Sequence, residues 1–264
     1  MTRPILAHAL SRLLMVLELA KRLGGAFPGT WNKFLFRRFW GGGSSSGDAY
    51  LVLENYENVR LRRSFRFTRD HSTPTGAQDP VDSEITCGNL SPNAAAMLSA
   101  LFLRHTGKLL PIATDTEVER AMNATLICYG NSDSNLMTFD IEGSSENDLC
   151  QFVFDGAGQR AFQICEQLYS LENRNGKTYD KAILLRLTNP QNPDHCYIVC
   201  AGLSEWGSLA AVYYLTKKWK VLQKRFDIFQ QRRDFCVLLE VQSGQFENAR
   251  EVASVVRLAP LFQG

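Results

Sequence analysis

Four runs of this sequence are apolar almost without a break: "ATLICYG" at 124–130, "KAILLRL" at 181–187, "YIVCAG" at 197–202 and "FCVLLEV" at 235–241. A strand with water on one face alternates apolar and polar side chains, whereas an uninterrupted run needs cover on both faces. The chain must therefore sandwich a sheet between two other layers. Helical cover is at hand in "SPNAAAMLSALFLRHTG" (91–107), with Ser91 as cap, Pro92 at the first helical position and Gly107 as stop, and in "WGSLAAVYYLTKKWKVLQKRF" (206–226). "QFVFDGAGQRAFQI" (151–164) reads as a hairpin turning at Gly156 and Gly158, and Thr114 to Glu117 has the spacing of a capping box. Alternating strands and helices with one hairpin predict an α/β fold: a Rossmann-like mixed sheet with flanking helices.

The front of the chain differs from its body. Residues 1–69 hold 12 Lys/Arg against 4 Asp/Glu and residues 70–264 hold 17 against 23, an asymmetry hidden by the net charge of +2. Residues 5–23 place Leu6, Leu10, Leu13 and Leu17 on one face of an amphipathic helix, with Arg12 and Glu18 at positions that disfavour a membrane span. "WNKFLFRRFW" (31–40) then interleaves aromatic rings with cations, a mixture suited to a membrane interface, a partner groove or packing on the body. "GGGSSSG" (41–47) has the composition of a flexible tether. The expected organisation is an aromatic and basic arm over 1–40, an amphipathic helical arm in character, then a linker at 41–47 and an α/β domain over 48–264. Residues 59–69, "VRLRRSFRFTR", read as a strand with a basic face, and 70–92 as a long loop.

In an open α/β sheet, ligands bind beyond the carboxyl ends of the strands, where loops enter helices. Two loops have that form. One runs from Gly130 through Asp133, Ser134 and Asn135 to Thr138; the other runs from Gly202 to Gly207 and Ser208. Glycine permits close backbone approach, and the hydroxyl and amide side chains supply hydrogen bonds. These seven positions, Gly130, Ser134, Asn135, Thr138, Gly202, Gly207 and Ser208, are the candidate ligand contacts. Glu205 and Asp133 are the candidate catalytic acids. His195 is a weaker candidate base, and Tyr179 and Asp180 either meet a ligand or start a strand.

Several classes lose ground. Neither loop has Gly-x-Gly-x-x-Gly spacing, an NTPase phosphate loop or a Gly-x-Ser-x-Gly elbow. Seven scattered cysteines and four histidines lack metal-ligand spacing, so no metal site is expected, and the cysteines read as core residues of a reducing compartment. The acidic body beyond residue 69 disfavours nucleic acid as a partner, despite the arginines at 60–69.

"GNSDSNLMT" (130–138), "YDKAILLRLTNPQNP" (179–193) and "AGLSEWGSLAA" (201–211) together resemble a family of bacterial proteins labelled S-layer protein C-terminal-like domain. The resemblance spans roughly residues 88–216. This chain departs from its pattern in three places: Gly-Asn-Ser at 130–132 stands for Gly-Gly-Pro, Lys181 for glycine, and Ser208 for threonine. The resemblance implies bacterial origin and carries no argument for a surface lattice. The reading that follows is a cytoplasmic binding or sensor domain for a small polar, nucleotide-like ligand, with residues 5–40 meeting a membrane surface or protein partner. A structural adaptor, a nucleoside N-glycosidase-type enzyme and a homo-oligomer are the alternatives carried forward.

Overall fold

In the computed structural model the described residues are 28–41, 49–54, 90–115, 117–118, 123–228 and 233–258. The expected helix over 5–23, the tether beyond residue 41, and the basic strand at 59–69 fall outside them.

The strands are β1 (Ala49–Leu53), β2 (Ile112–Thr114), β3 (Thr125–Tyr129), β4 (Gln151–Phe154), β5 (Arg160–Ile164), β6 (Gln167–Ser170), β7 (Glu172–Arg174), β8 (Lys177–Thr188), β9 (Cys196–Gly202), β10 (Arg233–Gln242) and β11 (Arg250–Leu258). Among the described residues four α-helices accompany them: α1 (Pro28–Trp40), α2 (Ser91–Thr106), α3 (Leu136–Glu142) and α4 (Glu205–Arg225). The main sheet runs β11-β10-β8-β9-β3-β1-β2, with β7 added at the start of β8. Neighbours among β2, β1, β3 and β9 are parallel, and each step from β9 through β8 and β10 to β11 is antiparallel. The fold is therefore mixed α/β with a mixed sheet.

The continuous apolar runs now have a physical reason. Successive residues of each central strand point to opposite faces, and both faces are covered. On one side Leu51, Ile127, Leu184, Ile198 and Val237 pack with Leu98 of α2 and with Leu209, Val212 and Trp219 of α4. On the other, Val52, Leu126, Ile183, Val199 and Leu238 pack with Met137 and Ile141 of α3 and with Phe162 and Ile164 of a three-stranded antiparallel sheet, β4-β5-β6. Five of the six described cysteines are buried, as small core residues.

Local signals behave unevenly. Gly107 ends α2 in a left-handed conformation, its N–H donating to Leu103 O, but Ser91 makes no side-chain cap. Thr114 N donates to Glu117 Oε2 at 3.0 Å, one half of the expected capping box. The Asn-Pro pairs after β8 fold into a turn in which Asn189 Oδ1 accepts from the N–H groups of Gln191 and Asn192, and Asn189 Nδ2 donates to Ala124 O.

The division at residues 41–47 does not mark a boundary of packing. Phe36, Phe39 and Trp40 of α1 are buried. Phe36 stacks on His105 at 4.6 Å and meets the Trp219 ring edge-on at 5.3 Å, which joins α1 to α2 and α4. Arg186 Nε donates to Phe39 O, Gln223 Nε2 to Leu35 O and Thr125 Oγ1 to Gly41 O, each from the body to the α1 segment. The aromatic half of the arm is thus part of the domain core, because these rings remove more apolar surface from water against Phe102 and Trp219 than they could alone.

Two features control the β10–β11 end of the sheet. Glu240 of β10 binds Lys181 Nζ at 2.5 Å and Arg250 Nη2 at 2.5 Å, and Arg174 joins at 2.9 Å. Burial pushes the Glu240 carboxyl up, but hydrogen bonds from Lys181, Arg250 and Arg174 outweigh it and bring its pKa down to about 2. Lys181 is the buried cation of this cluster. Between Leu238 and Leu239 the β10–β11 register shifts, leaving Val252 as a bulge on the edge strand.

Replacing Phe36 with alanine is expected to lower the unfolding free energy by about 3–5 kcal/mol. Urea denaturation of the full chain checks this; an unchanged midpoint would place α1 outside the cooperative core.

Candidate functional site

The parallel half of the sheet has a switch point. β3 and β9 are adjacent and parallel, yet α3 after β3 packs on one face and α4 after β9 packs on the other. Connections that diverge in this way leave a crevice beyond the strand ends. The two loops that the sequence marks out sit at this place and touch: Asn131 Nδ2 donates to Gly202 O at 3.0 Å, and Gly130 N donates to Cys200 O.

In the first loop, Gly130 has φ +102°, and a Cβ there would come 2.7 Å from Ser134 Oγ. Asn131 folds the loop by accepting from Asp133 N through its Oδ1. Asn135 is buried and fully used: its Nδ2 donates to Val52 O and Tyr129 O, and its Oδ1 accepts from Thr138 N as the N-cap of α3. Thr138 Oγ1 donates to Gly130 O, and Ser134 Oγ to Asn131 O. Leu136 N, another helix-start donor, is taken by Asp115 Oδ2 at 2.9 Å.

The second loop is organised around a buried carboxylate from β8. Asp180 Oδ2 accepts from Ser204 Oγ at 2.5 Å, Gly207 N at 2.8 Å and Ser204 N at 3.1 Å. Ser204 in turn caps α4 by accepting from Trp206 N. Gly202 N donates to Ser208 Oγ. A Cβ on Gly207 would lie 2.6 Å from Asp180 Oδ2 and 2.9 Å from Gly202 Cα, so both glycines are required by this close crossing of strand and helix.

The seven positions expected as ligand contacts lie in these two loops and the first turns of α3 and α4, and the side chains of Ser134, Asn135, Thr138 and Ser208 are engaged in hydrogen bonds within the domain. Asp133 forms an ion pair with Arg160 Nε at 3.1 Å. Glu205 is the first residue of α4 and partly exposed. His195 lies at the other end of the sheet, beside the start of β9, with its Nδ1 3.2 Å from Thr125 Oγ1; the structure separates it from the crevice. Tyr179 and Asp180 are inside β8 rather than before it.

Sequence reasoning named Asp180 as a ligand contact or strand start but not as the acceptor that holds the start of α4; its Oδ2 takes three donors while Oδ1 is buried and unpaired. It missed Ser132, whose buried Oγ has no partner. Ser132 lines a cavity of about 10 Å³ with Asn131, Thr138, Phe162, Val199 and Ala201, room for a single water. Among the described residues no cluster of His, Cys, Asp and Glu could hold a metal ion, and no helix is long and apolar enough to cross a membrane. Comparison of the sequence with family models and with curated proteins found no match.

Burial raises the Asp180 pKa to about 6, against the lowering effect of hydrogen bonds from Ser204 and Gly207. A carboxyl whose folded pKa exceeds its unfolded value binds more protons when folded, so its contribution falls as pH rises. The wild type is expected to lose stability between about pH 4 and pH 6 through this group, on the order of 3 kcal/mol. Denaturation of Asp180→Asn and wild type across that window checks it: the difference between the two curves should change with pH there and be flat above it. Gly207→Ala is expected to cost about 1–3 kcal/mol by overpacking, measured by urea denaturation.

Proposed function

We propose that the domain is a Rossmann-like binding or sensor module that receives a small polar ligand in the crevice between the β3–α3 and β9–α4 loops. The observation that carries this reading is the divergence of α3 and α4 to opposite faces from adjacent parallel strands. The unpaired Ser132 Oγ lines a small cavity beneath the first loop, where one water can meet it.

The chemistry of the crevice narrows the ligand class. At the start of α4, Gly207 N is taken by Asp180 and Trp206 N by Ser204, and at the start of α3, Leu136 N is taken by Asp115 and Thr138 N by Asn135. Glu54 Oε2 borders Gly130 at 3.4 Å from its would-be Cβ, and Asp133 stands two residues past Asn131. A phosphate would find its donors occupied and carboxylates nearby. A ligand rich in hydroxyl or amine donors, such as a nucleoside, fits better than a nucleotide.

The adaptor reading draws on the same capping: a helix start sealed by its own domain needs no ligand. The N-glycosidase reading is weaker, because Asp133 is held in an ion pair by Arg160.

A thermal-shift panel of nucleosides, their 5′-phosphates and polyamines separates these readings. A nucleoside or amine should raise the melting temperature, by about 2.7 kcal/mol of stabilisation at a concentration 100 times Kd, with the phosphorylated form weaker. Asp133→Asn should melt close to the wild type without ligand, because its ion pair with Arg160 is partly exposed, and weaken the shift. A panel with no response from folded wild type leaves the adaptor reading.

A further inference from the structure

The described residues divide sharply by charge. Helices α1, α2 and α4, which cover one face of the sheet, hold nine Lys/Arg and one Asp/Glu, Glu205; the remaining described residues hold nine and eighteen. The cations gather at one end. Ring contacts from Phe36 of α1 to His105 near the end of α2 and to Trp219 in the second half of α4 bring these segments together. Gly41, just past α1, lies against His195 and Thr125, at the amino ends of β9 and β3. The basic end is therefore opposite the crevice. Burial, then Lys220 and Arg104, lower the His105 pKa, as expected where cations crowd together.

Helix dipoles explain part of this. A cation in the last turn of a helix favours its carboxyl end. Lys217 and Lys218, however, lie about two turns before the end of α4, beyond the reach of that effect, and Lys33 stands in the middle of α1. Among the described residues, Arg225 with Glu251 is the ion pair formed by the nine helical cations.

Exposed apolar side chains sit inside the basic zone. Val221 is 58% exposed and has Lys217 and Lys218 one turn before it and Lys224 and Arg225 one turn after. Phe34 is 45% exposed beside Lys33 and one turn before Arg37 and Arg38, and Leu103 is 48% exposed beside Arg104. Each helix thus presents one large apolar side chain set among cations.

We propose that this end of the domain docks on an anionic bilayer surface, with the cations of α1 and α4 at the lipid headgroups and Phe34, Leu103 and Val221 at the acyl boundary. Cations alone would serve a nucleic-acid backbone as well, but a phosphate backbone gives Val221 and Leu103 nothing to enter, whereas a bilayer interface takes both kinds of side chain. The surface lies away from the crevice, so the two proposals stand or fall separately.

The test is co-sedimentation of the full chain with phosphatidylcholine vesicles containing about 30% phosphatidylserine or none, beside binding of a DNA duplex under the same salt. Partitioning to the anionic vesicles alone is expected. Reversing Lys217 and Lys218 to glutamate should reduce it more than tenfold, and Val221→Ser severalfold, with melting temperatures unchanged because these side chains are exposed. Equal partitioning to neutral vesicles, no partitioning, or DNA binding that Val221→Ser leaves intact while vesicle binding is absent would overturn the proposal.

Discussion

The passage from β9 to α4 depends on one buried carboxylate. Asp180 reaches from β8 across to the start of α4 and takes up the N–H groups of Ser204 and Gly207 together with the Ser204 hydroxyl. Because strand and helix cross so closely there, Gly202 and Gly207 have no space for a side chain. This contact fixes where α4, the longest helix among the described residues, begins, and so where its apolar stripe meets β8, β9 and β10. It also explains why a helix start at a sheet switch point carries so little free donor capacity: the domain has supplied its own anion.

A buried acid in that role is costly. Half of the Asp180 carboxylate is saturated and half is unpaired, and burial dominates its titration. The Glu240 cluster shows the opposite balance, since three cations surround one carboxylate and hold it ionised. The two acids lie on neighbouring parts of β8 and β10, within one sheet, and differ only in what faces them. Lys181 is adjacent to Asp180 in sequence but points to the opposite face of β8, which is why it serves Glu240.

Much of the central sheet was legible from the apolar runs, since continuous burial leaves few other folds. The loop glycines were legible as strand ends, but their reason was not: Gly207 answers to Asp180, 27 residues earlier, a relation no local pattern carries. α3 was hidden because residues 131–149 are polar and the helix is short, with its stability coming from the Asn135 cap and from Met137 and Ile141 beneath the sheet. β6 was hidden because its turn uses Cys165 and Glu166 at positive φ, where a glycine or asparagine would have given the signal. The aromatic run at 31–40 has the same composition whether it meets lipid or its own body. Only the distant partners His105 and Trp219 decide that Phe36 goes inward, while Phe34 stays out.

The edge of the sheet at β11 has its own bearing on how the protein behaves among copies of itself. Val252, Val256 and Leu258 are exposed there, on a nine-residue strand that a second chain could extend. The bulge at Val252 breaks the two-residue alternation, so a neighbour aligned with Ser254–Leu258 would be out of phase with Arg250 and Glu251. A neighbour can therefore pair in unbroken register with only part of the strand, on one side of the bulge or the other.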